Sequence, residues 1–414
     1  MDDILTVVIT ALGNDVGGIS SAEGRKTVFV RGALPGETVR CRISSEKKNR
    51  IKAELLEVVE ASPHRITPFC EYFGKCGGCS LQHLSYSQQL IWKRNWIEKA
   101  FSRAKISFST MEDVVPSPQT TGYRNRVSFD VVEDRPGLHR FKGNPFPVNE
   151  CPLLNRRGRK EFRLLQKVNL GHCARVSVRA SDRTGSAMLE FRGGSAPFSL
   201  AQDSSVITAW EVSGKWVTEP EGSEITEQVG GCTFPIRPGT FFQVNPGCAD
   251  RLISTVSLLC EGDMNILDLY GGSGAFALPL AASGAKVVSV EINPDSSISG
   301  RKTAEMNGVD SASFITGPAR QFITDSIKSG KSWDTVIVDP PRAGLGIRIS
   351  RLLRKINSRK IIYVSCNPFS LARDLRIITE RDWTVQKVQP IDMFPQTDHI
   401  ETVVLLERKE NICP

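Results

Sequence analysis

Residues 1–60 are short apolar runs broken by turns: ILTVVITALG, GRKTVFVRGALPGETVRCRI and IKAELLEVVEAS. Gly17-Gly18 and Pro35-Gly36 supply the turn signals. Short, turn-separated, basic strands predict a small β-barrel, an architecture that commonly binds oligonucleotides on one face. From 84 to 101 the period lengthens to that of a helix, with Tyr86, Leu90, Ile97 and Phe101 on one face. Residues 110–240 mix strands and loops and predict an antiparallel sheet. After Pro246 strand-like runs (MNILDLY, KVVSVEI, WDTVIVDPP, KIIYVSC) alternate with helix-like ones. That alternation predicts a parallel sheet with helices on both faces. The chain therefore divides into a β-barrel over 1–60, a central α+β domain over 61–240 and an α/β domain over 241–414.

Composition refines this picture in two respects. The 414 residues carry a formal charge of +8, and the basic residues cluster at 40–52, 155–163 and 348–360. One such cluster is ordinarily a solvated face. Three together point to an extended nucleic-acid surface. The eleven cysteines are an odd number in a long chain, which suits thiols, metal ligands or a catalytic group better than structural disulfides. No apolar run is long enough to span a bilayer. The amino terminus, MDDILTVV, lacks a basic region and does not read as a signal peptide. A cytoplasmic, monomeric protein without membrane contact is the expectation.

Three stretches carry chemistry. NILDLYGGSGAFALPLA, residues 265–281, is a strand, a glycine-rich turn and a helix. Its glycines let the backbone approach a ligand at a helix amino terminus. Glu291 closes the next strand 23 positions after Asp268, where an acid suits ribose hydroxyls. A nicotinamide or an S-adenosylmethionine would satisfy this, though G-G-S-G departs from the dinucleotide fingerprint. TVIVDPPRAGL ends a strand in Asp339, with Arg342 where enzymes methylating an exocyclic amine carry an aromatic residue. YVSCNP sets Cys366 at another strand end, where it could be packing, a ligand or a nucleophile. Cys70, Cys76 and Cys79 form C-x5-C-G-G-C, a set that with a fourth thiolate suits zinc or an iron–sulfur cluster.

CEYFGKCGGCSLQH, YRNRVSF, FFQVNPG, DLYGGSGAFALPLA, VDPPRAGL, SCNP and MFPQTDHIETVVLL occur in this order between about residue 70 and 406. In these motifs the chain resembles the S-adenosylmethionine-dependent RNA uracil-C5 methyltransferases, in particular their iron–sulfur-containing 23S rRNA branch. Its first 60 residues resemble the OB-like TRAM barrel often found ahead of them. The resemblance implies a Rossmann-like methyltransferase domain in which Cys366 is the nucleophile and Glu401 the proton acceptor. Gln243, Tyr270, Glu291 and Asp339 then line S-adenosylmethionine. Cys151 joins Cys70, Cys76 and Cys79 around a [4Fe–4S] cluster. His399, beside Glu401 in sequence, is a second catalytic candidate that reads rather as an orienting or structural group.

The implied reaction methylates uracil C5 through a thiolate adduct at C6, on 23S rRNA or, alternatively, on the T-loop uridine of tRNA. A non-catalytic RNA-binding protein would need neither Cys366 nor Glu401. Because an ordinary thiol is only a few per cent ionised at neutral pH, the site is expected to lower the Cys366 pKa. Two departures stand out, Gly271 and Ala275, where the family often has cysteine and asparagine. The other six cysteines, Cys41, Cys173, Cys232, Cys248, Cys260 and Cys413, read as ordinary thiols.

Overall fold

The computed structural model describes residues 4–14, 17–21, 26–194 and 206–409. The chain divides into two compact units. One comprises Met1–Trp96, His139–Asn144 and Phe394–Asp398, and the other Ile97–Leu138, Pro145–Met393 and His399–Pro414.

In the first unit, six strands form a sheet in the order Ile4–Val8, Thr38–Lys47, Arg50–Glu60, Thr27–Arg31, Gly17–Ser20, Ala11–Gly13. The two edge strands are joined by only Ile9 and Thr10, so the sheet must curl back towards itself. Alternation places Val28, Val30, Val39, Cys41 and Ala53 in one core with Ile9. Glu37, fully buried, ties this sheet to the following segment. It accepts from Leu34 N (2.8 Å) and pairs with Arg65 Nε (2.5 Å). The basic run at 40–52 becomes a strand pair in which Arg40 meets Glu57 at 2.9 Å, so part of its charge is neutralised across the ladder.

The helix spans Tyr86–Ala104. Its buried face differs from the one the apolar spacing predicts, because it includes Gln89 and Lys93. Lys93 Nζ donates to Phe394 O at 3.0 Å, and Gln89 Nε2 reaches the carbonyls of Leu81 and Leu84. Buried polar groups need such partners, and a pattern of apolar residues alone does not show them.

The second unit holds two large sheets. Seven strands between Arg126 and Glu219 form the first. Arg175–Ala180 is antiparallel to both Arg126–Val132 and Ala187–Arg192, as expected. Ala187–Arg192, however, is parallel to Val206–Val212. The expectation of a purely antiparallel sheet is corrected there.

The other sheet has eight strands in the order Ala312–Thr316, Lys286–Glu291, Asn265–Leu269, Trp333–Val338, Ser358–Ser365, Glu401–Arg408, Trp383–Ile391, Phe108–Met111. Glu401–Arg408 is antiparallel to both its neighbours, and the remaining pairings are parallel. Ile337, Val338, Ile361, Ile362 and Tyr363 in the central strands are fully buried, as befits strands covered on both faces. The strand order reverses direction between Asn265–Leu269 and Trp333–Val338, and ligands gather at carboxyl ends beside such a crevice.

Candidate active site

Three parallel strands deliver the site from their carboxyl ends. Asn265–Leu269 leads into Tyr270 and the glycine turn, Trp333–Val338 into Asp339, and Ser358–Ser365 into Cys366. The register pairs Val338 with Leu269 on one side and Tyr363 on the other. The antiparallel strand brings a fourth group. Ser365 faces Thr402, so the next step of the ladder sets Cys366 opposite Glu401. Opposed residues of such a pair lie close, with their side chains on one face. Sequence distance hid this pairing; the reversed strand creates it.

The electrostatics follow from burial. Glu401 is 9% exposed and has Asp339 beside it, and both effects push its carboxyl well above the usual range. Asp339 is pushed up to about 7 by desolvation. Cys366 is raised to about 11, first by burial and then by the Glu401 and Asp339 charges, with Arg342 pulling the other way. The expected lowering of the thiol pKa is therefore corrected. Two carboxylates and a desolvated setting outweigh one guanidinium. In the ligand-free protein the thiol is the resting form.

Arg342 is the residue that sequence reasoning underused. In the sequence, its place after Pro340-Pro341 argues only against methylation of an exocyclic amine. In the fold its charge acts on both Cys366 and Glu401. Its Nη2 lies 3.1 Å from His399 Nε2. The DPPR spacing was the available signal, because a strand end that carries an acid also carries whatever follows it.

The methyl-donor side is a cradle of backbone. Tyr270 takes a left-handed φ of 63°, and its N–H and that of Gly271 both point at Val290 O. Glu291 accepts from Gly272 N at 3.1 Å and Asn293 N at 2.7 Å, which fixes its carboxylate at the second strand end. A Cβ at Gly271 would lie 2.0 Å from Ser289 Oγ and 2.6 Å from Asp268 Oδ2. This accounts for the glycine at a position where the family often has cysteine, since Ser289 and Asp268 already fill that space. Asp268 is wholly buried, and its Oδ1 has no protein partner. The open strand-end crevice, the glycine turn and this orphaned acceptor fit a ligand bearing hydroxyl and ammonium donors. Gln243 is half-buried, and its carbonyl accepts from Asn125 Nδ2 at 3.1 Å. Nothing in the fold makes Ala275 a special contact.

The cysteine motif has a different outcome. Cys70, Cys76 and Cys79 lie in the first unit on a loop of successive turns, closed by Phe73 N to Cys70 O and Cys76 N to Tyr72 O. Cys76 Sγ accepts from Gly78 N at 3.3 Å. Cys151 belongs to the second unit. Among the described residues, no group of three or more His, Cys, Asp or Glu side chains is arranged to hold a metal ion. The geometry thus lends the four-cysteine cluster no support. Cys41, Cys173, Cys232 and Cys260 have pKa values raised by burial, to about 12 for Cys260, and Cys248 donates to Asp392 O. Cys413 lies outside the described residues.

The basic run at 155–163 forms the helix Arg156–Leu165, capped by Asn155, which exposes Arg156, Arg159, Lys160 and Arg163. Three of the six basic residues in the run at 348–360 form ion pairs. Arg359 and Lys360 pair with Asp263, and Arg354 with Glu380.

Residues 229–409 match the family model described as tRNA (uracil-5-)-methyltransferase. An uncharacterized RNA methyltransferase of Geobacter sulfurreducens is 33% identical, over 98% of this chain and 90% of that protein. One of Clostridium tetani is 30% identical, over 96% and 95%. The crystal structure of Pyrococcus abyssi tRNA (uracil-54, C5)-methyltransferase in complex with S-adenosyl-L-homocysteine superposes with a TM-score of 0.79. It is 29% identical and covers 97% of this chain and 100% of that one. Together with the strand-end site, these findings place the chain in the tRNA/RNA uracil-5-methyltransferase family, as an S-adenosylmethionine-dependent RNA methyltransferase.

Proposed function

We propose that the protein methylates C5 of one uridine in a structured RNA through a covalent bond between Cys366 Sγ and uracil C6. The observation that carries this reading is the ladder that ends with Ser365 opposite Thr402, leaving Cys366 and Glu401 next along their strands, with the Glu401 charge acting on the thiol and Asp339 and Arg342 acting on both. S-adenosylmethionine, when bound, supplies the electrophilic sulfonium methyl group. Gln243, Tyr270, Glu291 and Asp339 are the residues proposed to hold it.

The chain's own groups do the rest. Cys366 gives up its proton to solvent water and adds as the thiolate to C6, which places negative charge on the C4 oxygen side of the ring and makes C5 nucleophilic. C5 takes the methyl group, and the methyl donor departs as its homocysteine form. Glu401 then removes the C5 proton. The electron pair of that C–H bond forms the C5–C6 double bond as the C6–S bond breaks, returning the thiolate. A carboxyl held above its usual range by burial is a better base than a solvated one once ionised. Arg342 opposes the accumulation of negative charge at the thiolate.

The target uridine must leave its stack, and an unpaired loop makes that cheap. We infer 23S rRNA as the substrate, from the motif set and the TRAM-like barrel. A second reading, the T-loop uridine of tRNA, is favoured by the full-length likeness to the Pyrococcus abyssi enzyme. The [4Fe–4S] cluster on Cys70, Cys76, Cys79 and Cys151 is proposed from the sequence resemblance alone, and no step passes through it. Iron content and visible absorbance of anaerobically purified protein decide it.

The central test uses RNA carrying 5-fluorouridine, in which C5 has no proton to lose after methylation. With S-adenosylmethionine, the wild-type protein forms a complex that survives denaturing gels, and Cys366→Ala forms none. Trapping or methylation by the alanine variant overturns the nucleophile. Offering 23S rRNA and tRNA transcripts side by side, and mapping 5-methyluridine, decides between the two substrates.

A further inference from the structure

The helix Pro368–Ile378 starts two residues after Cys366, and its first two turns hold the loop that follows Asp339. Asn367 Nδ2 and Ser370 Oγ both donate to Arg342 O, at 3.2 and 2.9 Å. Arg373 Nη2 donates to Ala343 O at 2.7 Å. Asp374, fully buried, accepts from Leu345 N at 2.7 Å and from Tyr363 Oη at 2.8 Å through Oδ2. Its Oδ1 accepts from Arg373 Nε and Nη2, at 3.0 and 2.8 Å. Residues 367, 370, 373 and 374 share one helix face, so a single face grips the loop's backbone at residues 342, 343 and 345. Gly344 has a φ of 74°, and a Cβ there would lie 2.3 Å from Asp374 Oδ2. The loop closes over the carboxylate only because position 344 has no side chain.

We propose that Asp374, with Tyr363 and Gly344, is a positioning device that locks the Arg342 loop to the helix following the nucleophile, fixing the spacing between guanidinium and thiol. Asp374 touches neither substrate. A buried carboxylate is costly unless each oxygen is partnered. Here the partners are drawn from the Cys366 strand (Tyr363), the Asp339 loop (Leu345) and the helix itself (Arg373). The three segments that must be in register for the chemistry thus meet on one group. The inference rests on the reading of Cys366 as nucleophile. It adds the residue that keeps Cys366 and Arg342 at one separation, which a misplacement of about an ångström would spoil at a cost of about a hundredfold in rate.

The test compares wild type with Asp374→Asn, Ser370→Ala and Tyr363→Phe, all small changes of volume. Two quantities are read beside S-adenosylmethionine affinity and melting temperature. One is single-turnover adduct formation on 5-fluorouridine RNA. The other is iodoacetamide labelling of Cys366 in the ligand-free protein, resolved by peptide mass spectrometry across pH. The groups facing the thiol are Glu401, Asp339 and Arg342. Arg342 is the one charge among them that favours the thiolate, so loosening its loop shifts the labelling profile to higher pH. We expect that shift in Asp374→Asn, with adduct formation slowed about a hundredfold and S-adenosylmethionine affinity unchanged. A smaller shift of the same sign is expected in Ser370→Ala. Folded variants with a lower melting temperature but wild-type labelling and adduct formation would make Asp374 a structural residue only, and would overturn the proposal. Failure of the parent reading shows itself separately, as trapping by Cys366→Ala.

Discussion

At the residue scale, the site has acidic surroundings for a cysteine nucleophile. Burial, Glu401 and Asp339 hold the Cys366 thiol at about 11, against one opposing cation. Below that value the thiolate fraction grows about tenfold per pH unit, so iodoacetamide labelling of Cys366 should rise steadily from neutral to alkaline pH. Replacing Arg342 by alanine removes the one charge acting in the other direction. Labelling at neutral pH should then fall about ten- to a hundredfold, the worth of one charge-assisted interaction. Equal labelling of both proteins would detach Arg342 from the thiol. Glu401→Gln acts later in the sequence of steps. It should lose about 10² to 10⁴ in turnover and accumulate the methylated adduct on ordinary uridine RNA, visible on a denaturing gel. Cys366 and Glu401 were legible as candidates because their motifs are local: SCNP and DHIETV. The active role of Arg342 was not, since an exposed arginine after two prolines has the same local signature whatever its charge faces.

At the element scale, one antiparallel strand decides the site. Ser358–Ser365 and Glu401–Arg408 are ordinary apolar strands in sequence, separated by a helix and another strand. Their register sets Cys366 opposite Glu401. Ile362 lies fully buried in the first of them, in register with Leu405. Ile362→Ala should cost about 2–5 kcal/mol of stability in chemical denaturation, with little change in turnover of the protein that remains folded. Asn367 gives the opposite contrast. Its Oδ1 caps the helix by accepting from Phe369 N at 3.0 Å, and its Nδ2 holds Arg342 O. Asn367→Ala should cost only about 1 kcal/mol as a lost cap while slowing adduct formation measurably. If the two variants affected turnover equally, the distinction between packing and positioning in this strand–helix unit would fail. Strand and helix types were legible from periodicity. The buried face of Tyr86–Ala104 was not, because Gln89 and Lys93 are buried with hydrogen bonds to Gln396 and Phe394, distant in sequence.

At the scale of the whole molecule, the α/β sheet buries a carboxyl at its centre. Asp268 is held at about 8 by burial and by the charges of Asp339 and Glu291. Its folded value lies above its unfolded value near 3.9. Its contribution is therefore fully present below about pH 4 and is lost as pH rises through about 8. The melting temperature of the ligand-free protein should fall between about pH 4 and about pH 8 and level off above, and Asp268→Asn should flatten that fall. An identical pH dependence in the variant would show that Asp268 is not the group responsible. The sequence by itself determined the succession of a β-rich amino-terminal segment, a strand-rich middle and an α/β sheet, the glycine turn, and the identity of the candidate nucleophile and base. Those features depend on local periodicity, turn chemistry and short motifs, which need no information from elsewhere in the chain. Only the tertiary structure decided that the thiol is raised and not lowered, that Arg342 opposes two carboxyls, and that Asp374 gathers three segments onto one buried oxygen pair. It also decided that three of the six basic residues of the third run are spent on ion pairs. These outcomes depend on which charges share a low-dielectric space, and that is fixed by strand order and register.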